Sequence, residues 1–253
     1  MDQRNNFVNQ NQGAPMAQNQ GMPLRQTQGA PMNSNQVQGL SQFLNQYVQV
    51  ERPEQWQIEK ERFLEVNLNG NMFAKLGSMV AYYGNVKFEH AGSGSIEKYL
   101  KKKFTGEQMP IMTVSGQGRI YFSDNTKNIN VLYLNNERIY INGRDCLAFD
   151  NTLDWDIEMI AGASVITGTG LFAVELTGIG RLAMTSYGDP LVLPVSPQFP
   201  IYADPQSVIA WSAGLQTDIK TDINVKTLIG KTSGESIQMS FQGNGFVIIQ
   251  AAG

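Results

Sequence analysis

VELTGIGRLAM, residues 174–184, reads as one strand, a Gly-x-Gly corner and a second strand, and the chain holds two further copies of the pattern. VSGQGRIYF (114–122) and SFQGNGFVII (240–249) put Gly116 with Gly118, and Gly243 with Gly245, where this stretch has Gly178 and Gly180. The copies lie 62 and 65 residues apart. Before each pair alternate residues are apolar: Met112 and Val114, Val174 and Leu176, Met239 and Phe241. The alternation resumes after it as Ile120 and Phe122, Leu182 and Met184, Val247 and Ile249. A period of two marks a strand with one buried face. Glycine belongs where a strand bends sharply or another backbone comes close, so the six glycines are read as structural corners. A phosphate-cradling loop would open a helix, whereas strand patterns follow all three pairs.

A second element repeats upstream. Val80-Ala81-Tyr82, Leu147-Ala148-Phe149 and Ile209-Ala210-Trp211 each read apolar-Ala-aromatic, and the aromatic precedes the first glycine of its pair by 34, 29 and 32 residues. Two elements recurring three times at similar offsets specify an all-β domain built as a pseudo-threefold repeat. The three aromatic residues sit in strand patterns and are expected in the core.

Composition divides the 253 residues into three parts. Residues 1–39 hold 16 Gln or Asn, three charged residues and the phrase QGAPM twice. So little apolar surface cannot offset chain entropy, and a disordered Gln/Asn-rich tail is expected. Residues 40–60 follow as amphipathic helix and linker: Leu40, Phe43, Leu44, Tyr47 and Val48 have helical spacing, and Pro53 is expected to end the helix. Residues 61–253 form the repeat domain, long enough to bury about 70% of its unfolded surface without staples. Its strands are expected to start near Phe63, with a tight turn at Asn69-Gly70-Asn71 and hairpin turns at Asn135-Asn136 and Asn142-Gly143. One short inserted helix is expected in SIEKYLKKKF (95–104), with Lys98 and Lys101 to Lys103 toward solvent. Glycines at 168–170 and 230–234 mark parallel positions, and the latter is no Walker motif because Val225 stands where its first glycine is required.

The candidates for chemistry are few. Cys146 is the single cysteine and His90 the single histidine, which leaves no tetrahedral zinc set and no disulfide. Asp154, Asp156 and Glu158 alternate with Trp155, Ile157 and Met159. Three acids on one strand face could chelate a hard cation or act as acid and base, but a solvent face opposite a core face accounts for the same spacing. No catalytic, cofactor-binding or metal residue is assigned. A net charge of -3 argues against a nucleic-acid partner held mainly by electrostatics. The lysine helix could touch acidic lipid weakly, and no apolar run is long enough to span a bilayer. Single-cysteine usage fits a cytoplasmic location. Edge strands in so β-rich a chain lead us to expect closure or oligomerisation.

The phrases LAFDNTLDWDIEM (147–159), ELTGIGRLAMTSYGDPLVLPV (175–195), ADPQSVIAWSAGLQTDIKTDIN (203–224) and SGESIQMSFQGNGFVIIQ (233–250) resemble the altered inheritance of mitochondria protein 24 family, a bacterial group with mitochondrial relatives. The resemblance covers about residues 60–253 and not the tail. It implies a fold similar to the tryptophan RNA-binding attenuation protein, of β-sandwich or double-stranded β-helix type, and supplies no catalytic residues. The expected role is a non-enzymatic β scaffold or binding module that associates with itself or a partner protein. RNA binding is the alternative that the fold resemblance implies.

Overall fold

The computed structural model describes residues 38–90, 111–160, 172–221 and 237–251. The chain divides into two compact units between Val48 and Gln49. The first contains helix α1 (Leu40–Tyr47), on which Phe43 and Tyr47 set their ring centres 4.8 Å apart. It stops well before Pro53. Gly39 makes no side-chain cap, and neither end carries a charge that complements the helix dipole. The tail before residue 38 and the helix expected at 95–104 lie outside the described residues, as do the glycines at 168–170 and 230–234.

The second unit is all-β and antiparallel. It opens with β1 (Trp56–Glu59), inside the stretch read as helix and linker, which pairs with β2 (Phe63–Lys75). Three groups of strands follow on one plan, each with a first, a middle and a last strand. In the first group these are β2, β3 (Met79–His90) and β4 (Ile111–Phe122). In the second they are β5 (Asn128–Asn142), a middle strand in two halves as β6 (Cys146–Asp150) and β7 (Leu153–Met159), and β8 (Phe172–Ser186). In the third every strand is halved: β9 (Leu191–Val195) and β10 (Ile201–Ala203), β11 (Val208–Ser212) and β12 (Gln216–Thr221), β13 (Ile237–Gln242) and β14 (Gly245–Ile249). The main path of the large sheet, β3-β4-β2-β6-β8-β5-β11-β14-β9, thus reads middle, last, first three times in succession. The remaining halves of the third group make a small sheet, β10-β13-β12.

The glycine pairs lie inside the last strands of the first two groups and at the break between β13 and β14 in the third. The first glycine of each has φ of +120° (Gly116), +120° (Gly178) and +126° (Gly243), a region that side chains other than glycine rarely occupy. β4 and β8 run through their pairs without a break, and only the third pair separates two strands. Opposite Gly116 in register stands Gly70, itself at φ +127°. The sequence Asn69-Gly70-Asn71 is therefore not a turn. β2 passes through it without a break. Asn136, at φ 60°, is likewise a bulge in a continuous β5 rather than a hairpin turn, whereas Asn142-Gly143 does lead β5 into β6.

The apolar-Ala-aromatic triplets also have a shared cause. The register slips by one residue between Met79 and Ala81, between Cys146 and Ala148, and between Val208 and Ala210. Val80, Leu147 and Ile209 are the extra residues of three bulges, each of which twists its strand locally. Leu147-Ala148-Phe149 and Ile209-Ala210-Trp211 are buried on both strand faces, so no alternation shows there. β14 behaves similarly: Ile248 is buried in one core cluster while Ile249 is half-buried against another. Leu64, Ile120 and Phe122 in the first group, Ile141, Leu176 and Leu182 in the second, and Met239 and Phe241 in the third are fully buried. Each such side chain contributes about 1.5–3 kcal/mol.

Candidate functional site

Successive groups join edge to edge, and the joints explain the aromatic positions. β2 meets β6 with Phe73 opposite Phe149 and Ala74 opposite Ala148, and β5 meets β11 with Tyr140 opposite Trp211 and Ile141 opposite Ala210. Both opposed ring pairs are stacked, with centres 5.1 and 5.8 Å apart. Stacking of this kind adds about 0.5–1.5 kcal/mol to the burial itself. The main path ends at β3 on one side and β9 on the other, and among the described residues neither has an adjoining group. Val80, Tyr82 and Tyr83 on β3 are exposed by 47–54%, and Leu191, Val192 and Tyr202 on β9 and β10 are exposed to a like degree. Tyr82, expected in the core with Phe149 and Trp211, is thus on the surface. The triplet's local sequence is the same; its burial in the other two groups comes from a neighbouring strand that β3 lacks.

A buried polar cluster lies where the first two groups adjoin. Lys75, at the end of β2, donates through Nζ to Asp124 at 3.0 Å and to the Arg144 carbonyl at 2.7 Å. Lys127 Nζ lies 2.7 Å from Asp145 and 3.4 Å from Asp124, and Thr185 Oγ1 donates to Asp124 at 3.3 Å. Burial alone would raise the Asp124 carboxyl, but the two lysines outweigh it and hold the group below its ordinary range. Burial of Asp145 wins over Lys127 and lifts its carboxyl. Burial would lower Lys127, yet Asp145 and Asp124 together raise it. A cavity of about 230 Å³ opens here, lined by Lys127, Arg144, Asp145, Tyr187, Gln206 and Gln250. Arg144 also donates to the carbonyls of Pro205 and Gln206, so the cluster ties the second group to the third as well. Sequence reading missed these residues, because each is a lone polar residue in a strand end or turn and only the fold brings them together.

The acidic face falls differently. Asp154, Asp156 and Glu158 lie along β7, with Leu153 and Ile157 buried on its other face. Outward carboxylates two residues apart on a strand stand roughly 7 Å from one another and do not converge. Asp154 and Glu158 are exposed, and Asp156 accepts a hydrogen bond from the Ile157 N–H at 2.8 Å. Met159, expected inward, is 46% exposed at the strand end. Among the described residues no group of three His, Cys, Asp or Glu side chains could hold a metal ion. His90 ends β3 and is exposed, while Cys146 is buried in β6 with its thiol pushed up to about 12 by desolvation. A thiol so placed is a packing group rather than a nucleophile.

The family model described as mitochondrial biogenesis AIM24 matches residues 56–252, from the first residue of β1 through all three strand groups. The chain belongs to the AIM24 family. No curated protein matches it. The X-ray structure of a Streptococcus pyogenes protein is similar over 78% of this chain and 91% of its own, with 25% sequence identity and a TM-score of 0.61. The AIM24-family β unit is therefore a fold already seen in a bacterial protein. Among the described residues no helix is long and apolar enough to cross a membrane.

Proposed function

We propose that this AIM24-family chain is a non-enzymatic β scaffold that associates with copies of itself or with a partner protein through the ends of its sheet. The observation that supports the reading is the contrast between Tyr82, 47% exposed on an end strand, and its counterparts Phe149 and Trp211, 1% and 4% exposed inside joints. Exposed apolar edges of this kind are docking surfaces or hazards, and the blunting residues here, Lys87 and Glu89 on β3 and Pro194 on β9, lie away from Val80, Tyr82 and Tyr202. Sedimentation of the full chain across a hundredfold concentration range tests it. A mass that rises with concentration, or a defined partner retained by wild type and lost by Tyr82→Lys, is the expected result; a monomer throughout that retains no partner overturns it.

RNA binding is a second reading, and one observation favours it. Tyr83 is exposed on β3, and the Arg119 guanidinium lies 5.5 Å from its ring centre, a pairing that could support base stacking. The net charge of -3 opposes it. Filter binding to a randomised RNA pool decides: enrichment of a motif that survives about 200 mM salt establishes this reading, and weak binding lost between about 50 and 200 mM refutes it.

A further inference from the structure

Resting on the scaffold reading, we infer that the partner at the open edges is a second copy of the chain, and that the β10 edge of one copy pairs antiparallel with β3 of the next, Tyr202 opposite Tyr82 and Ala203 opposite Ala81. The register follows from the two joints already made within one chain. On each last strand, the residue four before the first glycine faces Ala74, Ile141 or Ala203: Met112 with Ala74, Val174 with Ile141, Met239 with Ala203. The residue three before it faces Phe73, Tyr140 or Tyr202. On the other side, the residue two beyond the second glycine faces the triplet aromatic: Ile120 with Tyr82, Leu182 with Phe149, Val247 with Trp211. Phe73, Tyr140 and Tyr202 are thus equivalent, as are Phe149, Trp211 and Tyr82. Two of the three possible joints exist, Phe73 on Phe149 and Tyr140 on Trp211. The third would set Tyr202 on Tyr82.

Both tyrosines are half exposed, at 48% and 47%, and stand on strands from opposite ends of the topological series. The surroundings of Tyr82 match those of Phe149. Phe149 makes an edge contact with Trp155 at 6.0 Å and 62°, and Tyr82 makes one with Phe88 at 5.1 Å and 68°. Trp155 and Phe88 are themselves equivalent, each facing the residue two before the first glycine, Leu176 and Val114. Phe73 covers the first of these pairs. An incoming Tyr202 would cover the second. Because the two edges differ, the contact is head to tail, and each copy keeps one edge for the next.

The test uses full chains carrying Tyr82→Cys or Tyr202→Cys. Opposed residues of an antiparallel pair have Cα atoms about 4.5–5.5 Å apart, within reach of a disulfide. Cys146 stays unreactive, being fully buried with its thiol pushed up to about 12. Oxidising a mixture of the two variants should give a disulfide-linked dimer that neither variant gives alone. In sedimentation, Tyr82→Lys should weaken self-association about tenfold or more while the melting temperature stays that of wild type, since the side chain is exposed. A chain carrying both cysteines that links internally and runs as a compact monomer overturns the second-copy assignment. Self-association without the 82–202 link overturns this edge and register but leaves the scaffold reading standing. Absence of both the link and any self-association refutes the second-copy assignment, and the scaffold reading falls with it only when no partner protein is retained either.

Discussion

Replacing Gly116 by alanine should damage the protein far more than the same change at Gly178, although the two glycines hold equivalent places in the sequence. Both have φ of +120°, a conformation that costs a non-glycine residue about 1–3 kcal/mol. Alanine returns about 0.4–1 kcal/mol by restricting the unfolded chain. At Gly178 that is nearly the whole effect: an added Cβ would meet the Thr152 carbonyl at 3.5 Å, an ordinary contact. The net loss is about 1–2 kcal/mol, or roughly 2–8 °C in melting temperature for a domain of this size. At Gly116 the same Cβ would run into the Asn85 carbonyl of β3, which is backbone and cannot swing aside. β3 must move away from β4, and the loss should reach about 3 kcal/mol or more, roughly 6–12 °C. Thermal melts followed by circular dichroism at matched concentration read the difference. Equal shifts, or a larger one at Gly178, would refute the view that backbone approach rather than φ alone sets the requirement at Gly116.

Lys127→Ala should cost about 3–5 kcal/mol in urea unfolding by stranding Asp145, and Lys127→Met with Asp145→Leu should recover most of it, because an apolar pair has no charge to desolvate. Asp124 is held below the ordinary carboxylate range, so its contribution is complete above that range and lost as pH falls through its folded value; Asp124→Asn should trail wild type at pH 7 by a gap that narrows in strong acid. Lys127 is raised, so its contribution is complete below the ordinary lysine range and lost as pH rises through its folded value; wild type should therefore lose its advantage over Lys127→Met in strong alkali. Phe149→Ala should cost about 3–5 kcal/mol and Tyr82→Ala within about 0.5, a contrast that calorimetry of the two variants checks.

The all-β class, the glycine pairs and the triplets were legible in the sequence because each rests on local geometry. A backbone at φ near +120° admits glycine, and a bulge recurs with its own short residue pattern, wherever the strand is placed. Tight turns at Asn69-Gly70-Asn71 and Asn135-Asn136 were misread because such residues serve a positive φ or a bulge inside a long strand equally well; the neighbouring strand decides which. β1 escaped notice since four residues carry too little period to separate strand from linker. The clearest division is at the triplets. Sequence alone showed that Tyr82, Phe149 and Trp211 end the same apolar-Ala-aromatic triplet. Only the tertiary structure decided that two of them are buried and one exposed, because burial is conferred by the strand alongside, and a linear series of three groups supplies that neighbour at two joints and leaves its ends open. The Lys75, Asp124, Lys127 and Asp145 cluster belongs wholly to the tertiary side: its members are drawn from separate strand ends and turns, and long-range pairing alone makes them neighbours.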